Sequence, residues 1–216
     1  MTIAARTTTA AEGLPRRRFS VAEVEAMVAA GVMEEDERVE LIGGELVPMS
    51  PKGNHHEVVK RALVDRWIRA RPEDCHLIQE TTFRLREDTY LEPDCISYPR
   101  TIGLTGITGP NVLLVVEIAD SSLQYDMGRK ASLYASFGVR ELWVIDAVQL
   151  TARIFCDPAP EGYRETRDFG PSDRLAPRFA PEAFALQLDE LDSHELPHLG
   201  ALHPKPASRH LLSRVR

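Results

Sequence analysis

Val112-Leu-Leu-Val-Val-Glu117-Ile118 is an apolar run of strand length with one acid inside it. Bounded upstream by a Gly/Thr/Pro-rich stretch at 99–111, it reads as a strand buried on both faces. An ionised carboxylate there costs several kcal/mol in order of magnitude to desolvate unless it meets a cation or a proton. A cation is therefore expected beside Glu117. The preceding strand-like stretch, Tyr90 to Tyr98, carries a second acid, Asp94, directly after Pro93. Two carboxylates converging at one sheet are what a hard divalent ion with oxygen ligands requires. That pattern points to metal-assisted hydrolysis.

Working outward toward the C-terminus, a helix is expected from about Gln124 to Phe137, stopped by Gly138. A strand at Arg140 to Ile145 follows, then a hairpin from Gln149 to Cys156 and Gly162 to Phe169. Strand, helix, strand implies a right-handed parallel crossover in a mixed sheet. Toward the N-terminus, Cys75 to Arg86 reads as a strand, joined to Tyr90 by a polar turn, and Pro93 marks an edge or strand start because it lacks a ladder donor. Asn54-His-His-Glu57 reads as a capping box, opening a helix whose apolar residues Val58, Val59, Ala62, Leu63 and Trp67 recur at helical spacing to about Ala70. Arg38 to Ile42 and Glu45 to Met49 form a hairpin about Gly43-Gly44. Ser20-Val-Ala-Glu23 is a second capping box, for a helix ending near Gly31.

The 216 residues, 43% of them hydrophobic, suffice for one domain burying something like 70% of its unfolded surface. Residues 19–196 are assigned to it, with 1–18 as a flexible tail and 197–216 as a basic tail in which Lys205, Arg209, Arg214 and Arg216 face no acid. No run approaches the ~20 apolar residues that span a bilayer and the start has no signal-like centre, so a soluble, cytoplasmic protein without a membrane partner is expected. Cys75, Cys95 and Cys156 are too scattered for a disulfide framework or zinc knuckle and read as reduced thiols. A net charge of -7 argues against a broad electrostatic footprint for nucleic acid, though acids that bind metal contribute to that sum.

Seven ordered motifs carry a family resemblance: Arg38-Val-Glu-Leu-Ile-Gly-Gly-Glu-Leu46, Met49-Ser-Pro51, the helix opening His55-His-Glu57, Glu92-Pro-Asp94, Val115-Val-Glu-Ile-Ala-Asp-Ser-Ser122, Tyr125-Asp-Met-Gly-Arg-Lys130 and Leu142-Trp-Val-Ile-Asp146. Together they resemble the Uma-two family, restriction endonucleases within the PD-(D/E)XK nuclease superfamily, over roughly Phe19 to Phe169. The resemblance implies an α/β (α+β) restriction-endonuclease-like fold, a mixed sheet flanked by helices. It implies an Mg²⁺- or Mn²⁺-dependent endonuclease acting on DNA. By position, Asp94 resembles the central metal ligand, Glu117 the acid of the Glu-X-Lys element and Glu40 an additional acidic ligand. Ala119 stands where that element's lysine would, and Lys130 on the following helix resembles its substitute. The ion would polarise the scissile phosphate and lower the pKa of a water. Lys130, a compact point charge, would orient that water or offset charge building on the phosphate.

Bland readings stand beside these. Without the resemblance, Glu40 is an exposed strand acid, Asp94 and Asp146 are turn residues, and Lys130 pairs with Asp126 on a solvated helix face for only ~0.3 to 0.5 kcal/mol. His56, three and seven residues before Val59 and Leu63, reads as a partly packed structural histidine, and Tyr125, Tyr134 and Trp143 as packing. Two classes remain: an active metal-dependent endonuclease, or a catalytically inactive nuclease-like module for nucleic-acid binding or assembly. Hydrolysis of another phosphoester is a third, because nothing reads base edges. The apolar stripe of Val21, Val24, Met27 and Val28 leads to the expectation of a homodimer.

Overall fold

The buried run becomes the centre of a six-stranded sheet in the computed structural model, which describes residues 7–9 and 15–191. Thr7–Thr9 (β1) and Pro15–Arg17 (β2), both inside the expected tail, pair antiparallel, while 192–216, including the basic tail, lie outside the described residues. Helix α1 (Val21–Ala29) has the full Ser20/Glu23 capping box and is followed by Gly31 at φ +67°, as the sequence predicts. Its Val21 and Val24 pack on Leu41 and Tyr90, with Met27 alongside. The stripe behind the homodimer expectation is thus used largely within the chain, and a dimer would need another face.

Strands β3 (Val39–Ile42) and β4 (Glu45–Pro48) form the expected hairpin; α2 (Asn54–Ala70), β5 (Cys75–Gln79), β6 (Phe83–Arg86), β7 (Thr89–Leu91) and β8 (Cys95–Pro99) follow. The capping box expected at Asn54 does not form. Asn54 is already helical, and the cap is Gly53, without a side-chain hydrogen bond. A Cβ at Gly53 would lie 2.0 Å from Asp120 Oδ2, so a strand-end acid occupies the approach to the helix's positive end.

Two runs expected as continuous strands each divide between two sheets. Cys75 to Arg86 breaks after Gln79, where Glu80 takes φ +48°, and Tyr90 to Tyr98 breaks at Glu92-Pro93-Asp94. β5 and β8 belong to the six-stranded sheet, in the order β12-β11-β10-β9-β8-β5, and β6 and β7 to a four-stranded sheet, β4-β3-β7-β6. The two breaks touch, Glu80 N donating to Asp94 O at 3.3 Å. Pro93 stands just before β8, a position that asks no ladder hydrogen from it.

The remaining members of the large sheet are β9 (Leu114–Ala119), β10 (Glu141–Asp146), β11 (Thr151–Ala159) and β12 (Gly162–Phe169). β9 and β10 are parallel, and the other pairs of this sheet are antiparallel. The crossover between β9 and β10 is α3 (Leu123–Tyr125), a π-helical turn at Asp126–Lys130, and α4 (Ala131–Ser136), ended by Gly138 at φ +77°. Asp146 is the turn residue expected, accepting from Val148 N and Gln149 N at 2.9 Å.

Alternation along β9 places Leu114, Val116 and Ile118 in the core under α2, where Val59, Leu63 and Trp67 pack with Trp143 and Phe184. Val115 enters the opposite core with Tyr134 and Leu142. Each fully buried side chain of that size is worth roughly 1.5 to 3 kcal/mol. The two-residue period of a strand then turns Glu117 toward the Tyr134 side, away from α2. All three cysteines are free and buried.

Candidate active site

Glu40, Asp94, Glu117 and Lys130 line one cavity of about 440 Å³ at the junction of the two sheets. Each is at least 95% buried. Glu40 comes from β3, Glu117 from β9, Lys130 from the π-helical turn, and Asp94 from the corner where the chain changes sheets. The antiparallel register Cys95↔Val116, carried one residue further, sets Asp94 opposite Glu117. The structure therefore brings together all four residues singled out in the sequence.

They fall into two groups. Around Glu117, the Lys130 ammonium lies 2.9 Å from Glu117 Oε1, 3.0 Å from Glu40 Oε1 and 3.9 Å from Asp126 Oδ1. Tyr134 donates its hydroxyl to Glu117 Oε1 at 2.5 Å, and Glu92 N donates to Glu40 Oε1 at 3.1 Å. Three carboxylates thus face one lysine. Burial, with repulsion from Asp126, Asp94 and Glu40, pushes the Glu117 carboxyl up to about 8 despite Lys130. Asp126 is raised as well, again first by burial. Burial opposes the Lys130 charge, but Glu117, Glu40 and Asp126 outweigh it and raise its pKa. The solvated i,i+4 pair with Asp126 is not what forms: Lys130 is a buried counter-ion shared among acids.

Around Asp94 the charges close into a ring. Asp94 Oδ1 lies 2.8 Å from His56 Nε2 and 3.0 Å from Lys52 Nζ. Lys52 also donates to Glu80, Glu80 accepts from Lys60 at 2.7 Å, Lys60 donates to Glu57 at 2.9 Å, and Glu57 Oε1 stands 3.1 Å from His56 Nδ1. Three acids alternate with three nitrogen bases. Ile118 N adds a 2.8 Å hydrogen bond to Asp94 Oδ2. Burial works against ionisation of Asp94, yet His56, Lys52 and the Ile118 amide together hold its carboxyl at about 2. Lys52 and Lys60 likewise hold Glu80 at about 2.

His56, Lys52 and Glu80 were not recognised in the sequence as site residues. His56 is buried as expected of a packed histidine, but it packs against Asp94. A readable signal does exist on α2: His56 and Lys60 share a helical face with Leu63 and Trp67, so two ionisable residues sit on a stripe otherwise destined for the core.

The donor set is carboxylate oxygen, which suits Mg²⁺ or Mn²⁺, and the Glu117 group is short of positive charge. The fit is one of chemistry more than of ready geometry. Among the described residues, no group of three or more His, Cys, Asp or Glu side chains converges as a metal cage. Lys130 lies between Glu40 and Glu117, and Lys52 and His56 lie on Asp94, so basic side chains hold the oxygens an ion would take.

A mixed sheet flanked by helices, with paired acids at its junction, defines a restriction-endonuclease-like fold. Residues 21–189 match the model of the Uma2 family, described as "Putative restriction endonuclease", and the chain belongs to that family. Its fold is also that of a crystal structure from Anabaena variabilis described as "a putative nuclease belonging to DUF820", at a TM-score of 0.61 and 15% identity, covering 81% of this chain and 98% of that one. None of the curated proteins matches this chain.

Proposed function

We propose that this protein is a metal-dependent endonuclease that hydrolyses DNA phosphodiester bonds. The observation that carries the reading is the meeting of Asp94 and Glu117, from neighbouring strands, in one cavity with Glu40 and Lys130. Asp94, Glu117 and Glu40 would hold Mg²⁺ or Mn²⁺. When bound, the ion polarises the scissile phosphate and lowers the pKa of a water. Asp94 enters as a permanent anion, oriented by His56 and the Ile118 amide. Glu117 gives up its proton as positive charge arrives. Lys130, held by both glutamates, offsets negative charge that develops on the phosphate.

With a net charge of -7, affinity for DNA should weaken with salt along a shallower slope than that of a strongly basic binder. The direct test is plasmid cleavage in Mg²⁺ or Mn²⁺, with EDTA abolishing it and added metal restoring it. Cleavage undiminished by chelation would refute the two-carboxylate reading. The rival is a nuclease-like binding module without turnover, favoured by the absence of a ready metal cage among the described residues. It predicts DNA binding with no cutting under any divalent ion. Light scattering decides between a homodimer, suited to cutting both strands, and a monomer, suited to nicking.

A further inference from the structure

We propose that Lys52 is the lysine that contacts the substrate phosphate, exchanging its Asp94 partner for a phosphate oxygen when a divalent cation takes Asp94. The inference rests on the nuclease reading above and adds a residue to it.

Three lysines surround the site, and their placement separates them. Lys130 lies in the helical crossover, 5% exposed, with carboxylate oxygens 2.9 and 3.0 Å from its ammonium. Its withdrawal would strand buried carboxylates. Lys60 is on the second turn of α2, bound to Glu57 and Glu80, and is not among the residues lining the cavity. Lys52 differs from both. It stands between β4 and α2, flanked by Pro51 and Gly53, lines the cavity, and keeps 15% of its side chain exposed.

The departure of Lys52 from Asp94 strands no partner. Asp94 keeps His56 Nε2 and Ile118 N, each at 2.8 Å, and Glu80 keeps Lys60 at 2.7 Å. A cation arriving on Asp94 repels the ammonium 3.0 Å from that same oxygen. The ammonium keeps Glu80 and lines the same cavity, where a flexible stem and a compact charge suit Lys to an entering phosphate oxygen. Lys52 is then poised only when the cation is present, so that the ion's arrival readies the site for substrate.

The test uses the full chain with Lys52→Gln, Lys52→Met and Lys52→Arg, two neutral variants being made so that loss of folding in one does not end it. Fluorescence anisotropy follows binding of a labelled DNA duplex in EDTA and in Ca²⁺, which takes oxygen ligands of the same kind. Calorimetry follows Mn²⁺ binding without DNA. In Ca²⁺, the neutral variants should bind DNA about tenfold more weakly, with a salt slope shallower by roughly one phosphate contact. Lys52→Arg should recover the slope. In EDTA, parent and variants should bind alike, and Mn²⁺ should bind the neutral variants more tightly because Asp94 has lost a competitor. Equal salt slopes in Ca²⁺, in a parent that cuts DNA, would make Lys52 only a counter-ion of Asp94 and Glu80 and overturn this proposal while leaving the nuclease reading intact. A parent that neither binds nor cuts DNA with any divalent cation would overturn both.

Discussion

Asp94 and Glu117 are acids of the same cavity, opposite one another across neighbouring strands and almost equally buried, yet one is held at about 2 and the other at about 8. Burial pushes both upward, so burial does not separate them. The difference lies in the company each keeps. Asp94 belongs to a closed ring in which three bases alternate with three acids and a backbone amide assists. Glu117 shares a single lysine with Glu40 and Asp126. One half of the site gives each acid two basic partners, and the other gives three acids one lysine. Paired carboxylates are thus pushed to opposite sides of their ordinary values by the residues around them.

The strongest way to break this contrast is to remove each acid. Asp94→Ala and Glu117→Ala should both lose Mn²⁺ binding and cut DNA on the order of 10³-fold more slowly, a loss of several kcal/mol of charge stabilisation. Their stabilities should part. Losing Asp94 unbalances the ring and should lower Tm, whereas Glu117→Gln relieves repulsion and should raise it at pH 8. Equal shifts in the two melts would show that the halves are not electrostatically distinct.

Lys130→Ala sharpens the Glu117 half. Mn²⁺ should still bind, while single-turnover cleavage slows on the order of 10²-fold if the ammonium offsets transition-state charge. Lys130→Arg should not restore the rate in full, because a planar guanidinium cannot occupy the point between the two glutamates. The alanine variant should also lose about 3 to 5 kcal/mol of stability in denaturant melts near pH 8, having left buried acids without their counter-ion. Parent-like cleavage would remove Lys130 from the chemistry.

The contrast extends to the pH dependence of stability, where the two acids act with opposite sign. Asp94 falls from 3.8 to about 2 on folding, so its contribution is present above pH 3.8 and lost as pH falls through 2, on the order of 2 kcal/mol. Glu117 rises from 4.5 to about 8, so the folded state binds the extra proton and stability declines as pH rises from 4.5 through 8. Urea melts of metal-free protein should show both arms, and Glu117→Gln should flatten only the alkaline one. A flat profile between pH 5 and 8 in the parent would contradict the assignment to Glu117.

Much of this was legible in the chain because the informative signals are local. An acid in an apolar run demanded a cation, and Lys130 supplies it; Ser20/Glu23 opened its helix, and Gly31 and Gly138 ended theirs, where their chemistry requires. What escaped is what depends on chain segments meeting. The runs at 75–86 and 90–98 have strand composition throughout, and nothing in their period reveals that each changes sheet at Glu80 and at Pro93-Asp94. The ring shares that cause: His56 meets an acid 38 positions away and Lys52 one 42 positions away. Asn54 is not the cap because the helix already includes it, and the cap position falls on Gly53, whose close neighbour Asp120 comes from 67 positions further along the chain.

The π-helical turn at Asp126–Lys130 makes the meeting of these two side chains depend on one inserted residue. Its closing amide, Ala131 N, reaches back five residues to Asp126 O, one more than an α-helix uses, and Gly128 within it is exposed with open space where a Cβ would point. Loss of that single codon would restore ordinary helical winding and rotate Asp126 relative to Lys130 by about 100°. The cores on either side of the sheet would keep their side chains while the shared counter-ion lost one of its acids.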